Sequence, residues 1–526
     1  MIILVFIFIL PSLSLACPLH VQTPLGIATG SIDISGTARF AAHYATAERW
    51  GESVVASKWK MPSSIINSTK LPLPCPQPGL DSSDYTEDCL SVVLYIPRNV
   101  KKHGTTLVWI HGGSFIVGSA TGPGLDGSNL ASATNSVVAI VQHRLGALGF
   151  LAPDGKTNLA VKDIINAMKF INVVAPSFGG SSTITLAGQS SGANMIRALL
   201  AAPSASWLFK SGILHSDPMN YGFLSSSTQQ LLQSHYNSLI NCTSWNTTCW
   251  KSLSLDTIVK AQMTLYAKAS SIDPAAGVGE PMRPVKDGVL ITSPLDSTAP
   301  FPSVSKALMI STVLDEAGPA IYEQFSSPLE ESKFQPICNS ILGPARTSKI
   351  MKSEFYKPNG SLDARDQLLS LATDMMWKCP SWTFVRNWVQ HGGRAYVGLY
   401  TVGATYPTNT VSFCEQAGKV CHEDDIMIVF GTVPNPTSAQ SSLIAEVQRR
   451  YKAFMYSGDP NEQGLPIWTA ATGSDINAHD LVYYMTIKFM ASNFYGTDAA
   501  VDSDSEARQD PAGTWRRIEF KRVSCI

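Results

Sequence analysis

The sequence is short of charge, and neither sign prevails. Only 15% of its 526 residues are charged, and 39 Lys and Arg against 40 Asp and Glu leave a net charge of −1. A protein that gathers nucleic acid needs a basic field, so that class is excluded at the outset. There is no CxxC pair among the ten cysteines, which removes zinc-finger spacing. No H-E-x-x-H is present, and Cys421-His422-Glu423-Asp424-Asp425 has ligand-type side chains without the spacing that puts them on one metal. Gly155-Lys156-Thr157 resembles the end of a phosphate loop, but the glycine it requires upstream is Phe150. Gly122-Pro123-Gly124-Leu125-Asp126-Gly127 has dinucleotide-fingerprint spacing, yet it sits in a Gly/Ser-rich loop instead of between a strand and a helix. Neither a metal nor an organic cofactor is expected. Repeats, heptads and low-complexity tracts are missing too, and no later stretch is long enough for a membrane anchor.

What is present begins with an apolar run, Ile2–Leu10, broken by Pro11 and followed by Ser14-Leu15-Ala16. Such a run ending in small residues reads as a secretory signal peptide, 1–16, with 17–526 as a single mature domain. The cysteines agree with an oxidising compartment. Close pairs at Cys75/Cys89, Cys242/Cys249 and Cys414/Cys421 suggest loops closed by disulfides, and Cys338 with Cys379 is a candidate fourth pair. A closed loop of about 15 residues constrains the unfolded chain by roughly 3 kcal/mol. Cys17 and Cys525 remain unassigned. Asn67, Asn241, Asn246 and Asn359 open N-x-[ST] sequons, as in a secreted, extracellular glycoprotein.

Between residues 106 and 215 apolar runs alternate with helical stretches. Thr106–Ile110 (TLVWI), Val137–Val141 (VVAIV) and Thr183–Ala187 (TITLA) have the character of strands buried on both faces. Leu159–Val173 has helical apolar spacing, and a helix begins at Ser191. Ile213–Leu214, Ala307–Ser311 and Arg394–Tyr400 read as later strands, and 496–512 as a polar surface segment. This alternation predicts an α/β fold with a mostly parallel central sheet flanked by helices.

Gly188-Gln189-Ser190-Ser191-Gly192 is a G-x-S-x-G between the TITLA strand and the next helix. The arrangement suits a nucleophile: a tight strand-to-helix turn lifts the Ser hydroxyl above the sheet, and glycines on either side tolerate the crowding. Upstream, His111-Gly112-Gly113-Ser114-Phe115 leaves the TLVWI strand as a glycine-rich loop. It offers the N–H groups of Gly113 and Ser114, with that of Ser191, to a developing oxyanion.

These segments resemble the type-B carboxylesterase/lipase family, the cholinesterase-like branch of the α/β-hydrolases, and its secreted fungal-type members. The likeness runs over about 24–490 and adds Glu87-Asp88-Cys89-Leu90, Arg144–Phe150, Phe178-Gly179-Gly180, Pro284–Gly288, Asp315-Glu316 and His422. The resemblance implies an α/β-hydrolase fold with large insertions. It also implies a Ser–Glu–His triad that falls on Ser190, Glu316 and His422, with Asp315 as the rival acid and no cofactor. The implied activity is hydrolysis of a small-molecule carboxylic ester through an acyl-enzyme. The departures are Gln189 for the family's usual Glu, Ser191 for Ala, Ser114 for a third Gly, and an Ala after Glu316. The loop between Cys75 and Cys89 encloses only 13 polar, Pro/Gly-rich residues, less apolar length than an interfacial lid needs. Soluble or modestly lipophilic esters are therefore expected, with a lipase or sterol esterase as the alternative and a non-catalytic cholinesterase-like binding protein as the remote one. His215–Phe223 is expected on the acyl side of the site, and oligomeric state is not legible.

Overall fold

The computed structural model describes residues 19–472 except 34–35, 65–66, 99–103, 297–300, 354, 357–359 and 361–362, together with short strands at 485–486, 505–509 and 515–519. The signal-peptide reading of 1–16, Cys17, Asn359 and Cys525 lie outside the described residues.

Numbering only the central sheet, the strands are β1 (Leu19–Thr23), β2 (Gly26–Ile32), β3 (Ala38–His43), β4 (Ser91–Ile96), β5 (Thr106–Ile110), β6 (Val137–Val141), β7 (Ile184–Gln189), β8 (Phe209–His215), β9 (Ala307–Val313), β10 (Arg394–Tyr400) and β11 (Met485–Thr486). Their order is β1-β2-β3-β4-β6-β5-β7-β8-β9-β10-β11. From β6 onwards every pair is parallel, while β1 to β4 and the β4–β6 pair are antiparallel.

The uninterrupted apolar runs have the cause the sequence indicates: β4, β5, β6 and β7 are buried along their whole length. Side-chain alternation then sorts the residues onto the two faces. Val108, Ile110, Ala139, Val141 and Leu186 join one core with the helices Leu159–Val174 and Ser191–Leu200. Leu107, Trp109, Val138, Ile140 and Ala187 join the other, with Ser128–Thr134 and Ser438–Ser457. Strand β7 runs two residues further than its apolar run, because Gly188 and Gln189 pair with Leu214 and His215 of β8. The serine therefore follows the last paired residue directly.

One correction concerns cysteine. Cys75–Cys89, Cys242–Cys249 and Cys414–Cys421 are disulfides. Cys338 and Cys379 are not bonded to each other: Cys379 is in a disulfide, and Cys338 is a free, buried thiol. The reason is packing. Cys338 faces a local core of Phe334, Ile350, Tyr356, Ala364 and Leu368, built by helices inserted between β9 and β10. Burial there pushes its thiol up to about 11.

The Arg144–Phe150 segment earns its place through a buried ion pair. Arg144 grips Asp163 with Nε (2.8 Å) and Nη2 (2.7 Å), and Nη1 reaches the carbonyl of Gly51 (2.6 Å). Trp50 Nε1 donates to the Ala147 carbonyl at 2.9 Å. The pair ties the loop after β6 to the helix Leu159–Val174. Removing one partner strands a buried charge, so Asp163→Ala is expected to lower stability by about 3–5 kcal/mol. A urea melt of the variant beside wild type checks this; an unchanged midpoint would show the pair to be dispensable.

Candidate active site

Because β5, β7, β9 and β10 are parallel, their carboxyl ends open on one edge of the sheet. The strand order reverses beside β5, the position at which open α/β sheets take ligands. The loops after these four strands carry the residues singled out by sequence.

Ser190 leaves β7 at φ 56°, ψ −127°, a conformation that costs a non-glycine residue about 1–3 kcal/mol. Its N–H donates to the His215 carbonyl at 2.8 Å, and its carbonyl accepts from Asn194 at 3.0 Å, so the turn passes straight into the helix. The flanking glycines are obligatory. A Cβ on Gly192 would stand 2.2 Å from the Ile110 carbonyl oxygen, and one on Gly188 would stand 2.8 Å from it.

The loop after β5 lies against this elbow. A Cβ on Gly112 would come within 2.8 Å of the Gln189 carbonyl oxygen and 3.1 Å of Ser190 Cβ. Gly113 has φ 115°, and a side chain on it would meet the Val117 carbonyl at 2.3 Å. Ser114 and Phe115 follow with φ 50° and 64°. Four hydrogen bonds hold this strained path. Ile116 and Val117 both donate to the Gly113 carbonyl at 3.0 Å. Gln77, inside the Cys75–Cys89 loop, accepts from Gly118 N–H (2.9 Å) and donates to its carbonyl (3.1 Å). The N–H groups of Gly113 and Ser114 meet no acceptor among the described residues, and Ser191 opens a helix whose first N–H groups have no intrahelical partner.

Glu316 and His422 are brought together from the ends of β9 and β10. His422 Nδ1 lies 2.6 Å from Glu316 Oε2, while Oε1 accepts the Val313 N–H at 2.9 Å. Asp315, the rival acid, points elsewhere: its Oδ2 accepts from Val420 N–H at 3.1 Å and its N–H donates to the Val420 carbonyl at 2.8 Å. The loop bearing His422 is fixed on both sides. Cys421 is bonded to Cys414, and Asn409 donates to the His422 carbonyl at 2.7 Å. Asp424 accepts from the Cys421 and Tyr406 N–H groups at 2.7 and 2.8 Å. Burial disfavours the imidazolium, but the hydrogen bond and charge of Glu316 outweigh it and raise His422 to about 9.

The sequence did not reveal what meets the far nitrogen. Gln189 Nε2 lies 3.2 Å from His422 Nε2, and among the described residues this amide, not the Ser190 hydroxyl, is the hydrogen-bonding neighbour there. In the neutral imidazole whose proton is on Nδ1, facing Glu316, Nε2 is the acceptor and the amide the donor. A buried carboxyl, Glu280, also stands close to Ser114, and no motif announced it. His215, by contrast, is held in a buried network with Asp425 (2.8 Å), Ser311 (2.9 Å) and Tyr451. Of the stretch His215–Phe223, Met219, Asn220 and Gly222 line a cavity of ≈690 Å³ with Leu295 and Phe384.

Comparison with known proteins identifies the family and the fold. A family model described as the carboxylesterase family matches residues 32–495. The chain is 26% identical over 418 residues to the liver carboxylesterase of Sus scrofa, covering 73% of this chain and 72% of that one. It is 27% identical over 403 residues to the crystal protein of Dictyostelium discoideum, covering 74% and 72%. Among solved structures, a PNB esterase superposes with a TM-score of 0.70 at 22% identity, covering 86% of this chain and 94% of the other, a likeness of fold.

If Glu316 sets the His422 imidazole, the His422 titration midpoint in an NMR pH series lies above 6.5 in wild type. Glu316→Gln removes the charge that favours the imidazolium, so the midpoint moves down. An unmoved midpoint would separate the two residues.

Proposed function

The chain belongs to the carboxylesterase family and is a carboxylic ester hydrolase, and from that premise we propose that Ser190 is its nucleophile, His422 its base and Glu316 its acid. The observation that carries this reading is the 2.6 Å contact of Glu316 Oε2 with His422 Nδ1, which turns Nε2 toward the elbow that bears Ser190. In the proposed cycle Ser190 Oγ attacks the ester carbonyl carbon while His422 Nε2 takes its proton. For this the Gln189 amide must yield its place at Nε2. The resulting oxyanion is met by the N–H groups of Gly113, Ser114 and Ser191, groups fixed before substrate arrives. Collapse breaks the bond to the alcohol oxygen, which leaves with the proton held on His422. Water then repeats the sequence on the acyl-enzyme: His422 takes its proton, the acid departs, and the proton returns to Ser190.

The same reading favours soluble over interfacial substrates. The loop closed by Cys75–Cys89 is tied to the oxyanion loop through Gln77 and Gly118, which suits a fixed rim better than a lid. A cavity of ≈480 Å³ opens there, lined by Gln77, Leu80, Gly113, Tyr406 and Glu423. We place the enzyme outside the cell. Three disulfides support an oxidising compartment, and Asn67, Asn241 and Asn246 are exposed for glycan attachment.

Hydrolysis of p-nitrophenyl esters from short to long acyl chains tests both parts. Wild type is expected to prefer short to medium chains below the solubility limit. Ser190→Ala is expected to lose about 10⁶ in kcat with folding retained, and His422→Ala nearly as much. Tolerance of either change would overturn the triad. Activity that jumps only above the solubility limit, on long chains, would make the protein a lipase or sterol esterase.

A further inference from the structure

The proposed cycle leaves one carboxyl beside the site without a task. Glu280 is 5% exposed, and its Oε2 has no hydrogen-bond partner among the described residues. A buried carboxylate in that state is costly, because water's hydrogen bonds have been removed and nothing replaces them. Glu316 and Asp163, also buried, are tied on both oxygens.

The nearest cation does not tie it. Arg283 directs its donors to main-chain carbonyls: Nε to Gly222 (3.1 Å), Nη1 to Ala276 and Glu280 (2.7 Å each), Nη2 to Tyr221 (2.9 Å) and Ala275 (3.4 Å). Its guanidinium also lies 5.6 Å from the centre of the Tyr221 ring. Arg283 thus builds the turn that carries Glu280 and adds only its field to the carboxyl. The other charged or polar groups facing Glu280 are the Ser114 hydroxyl, His422, Asp217 and the phenols of Tyr266 and of Tyr221, which donates to the Val278 carbonyl. Asp217 is committed to Arg197, with Nε 2.8 Å from Oδ2. That leaves Ser114, from the oxyanion loop, and His422, the base, on the reacting side. Burial pushes Glu280 up to about 7, against the pull of Arg283, His422 and Ser114. Any donor delivered to the carboxyl would lower the cost of its charge, and that relief is binding energy.

We propose that Glu280 is a specificity-determining residue of the ester site, its carboxyl accepting a hydrogen bond from a hydroxyl or ammonium carried on the acyl group close to the reacting carbonyl. The proposal rests on the ester-hydrolase reading above and names its substrate class, hydroxyacyl or aminoacyl esters. The contact adds no chemical step; it changes which acyl groups are held in register with the Gly113, Ser114 and Ser191 N–H groups.

The test compares isosteric pairs in which only a hydroxyl replaces a methyl: phenyl lactate with phenyl isobutyrate, and phenyl 3-hydroxybutyrate with phenyl 3-methylbutyrate. Each kcat/KM is divided by that ester's own hydroxide-catalysed rate, and active enzyme is counted by phosphonate titration. Wild type is expected to favour at least one hydroxyacyl partner by about 10- to 100-fold, the range of a hydrogen bond to a charged group. In Glu280→Leu the ratio should fall to about one or invert. Glu280→Gln keeps the shape and an acceptor, so its ratio should lie between the two and covers the case in which the leucine variant does not fold. A wild-type ratio near one for both pairs, or equal ratios in wild type and variants, overturns the proposal. Failure of wild type to turn over any ester, with Ser190 inert to the phosphonate, would instead overturn the ester-hydrolase reading beneath it.

Discussion

The carbonyl of Ile110, at the end of β5, leaves no room for a side chain at either end of the elbow that follows β7. Neighbouring parallel strands lie about 4.8 Å apart, so a turn that starts a helix beside the next strand must cross at near-contact distance. Here that crossing demands glycine at 188 and 192, where a Cβ would meet Ile110 O at 2.8 and 2.2 Å. Ser190 is consequently driven to positive φ, with its N–H taken by His215. The same closeness lays Gly112 on Gln189 and Ser190, so N–H groups from two separate loops converge beside one hydroxyl. The geometry of the site is therefore a by-product of strand spacing, paired with two loops that tolerate strain because their neighbours hold them.

Electrostatics divides the labour between adjacent carboxyls. Glu316 faces His422 and is satisfied by it and by the Val313 N–H; Asp315, one residue earlier, faces Val420 and fastens the loop that delivers His422. One acid serves the imidazole directly and the other serves its placement. Asp424 and the Cys414–Cys421 bond complete that anchoring. The Gln189 amide, neutral where an acid would add charge, meets the imidazole's far nitrogen, so His422 has partners on both nitrogens. Glu280 stands apart from this order as a buried carboxyl with one oxygen, Oε2, unpartnered among the described residues.

Much of this was legible in the residues. Strands buried on both faces are continuous apolar runs, which is why Thr106–Ile110 and Val137–Val141 stood out. The elbow was legible because crowding forces a fixed pattern of glycines. Three disulfides were legible because short loops with a cysteine at each end leave few alternatives. The antiparallel strands β1 to β3 were not: β1 alternates half-exposed with exposed residues, and β2 (GIATGSI) is rich in small residues, so neither shows a strong period. Cys379, the candidate partner of Cys338, closes no short loop with it, and a helix face turns Cys338 into a local core instead. Glu280 was invisible for a similar reason. One acidic residue in a Gly/Pro-rich loop carries no signature, and its importance comes entirely from where Arg283 folds that loop.

The central claim is that the elbow makes Ser190 the reactive nucleophile of this chain and that His422 makes it so. The most direct test is to label the intact protein with a serine-directed fluorophosphonate, digest it and map the adduct by mass spectrometry. The account predicts one phosphonylated site per chain, on the peptide containing Ser190, and labelling that is nearly abolished in His422→Ala. An adduct on a different serine, or unchanged labelling in His422→Ala, would contradict it.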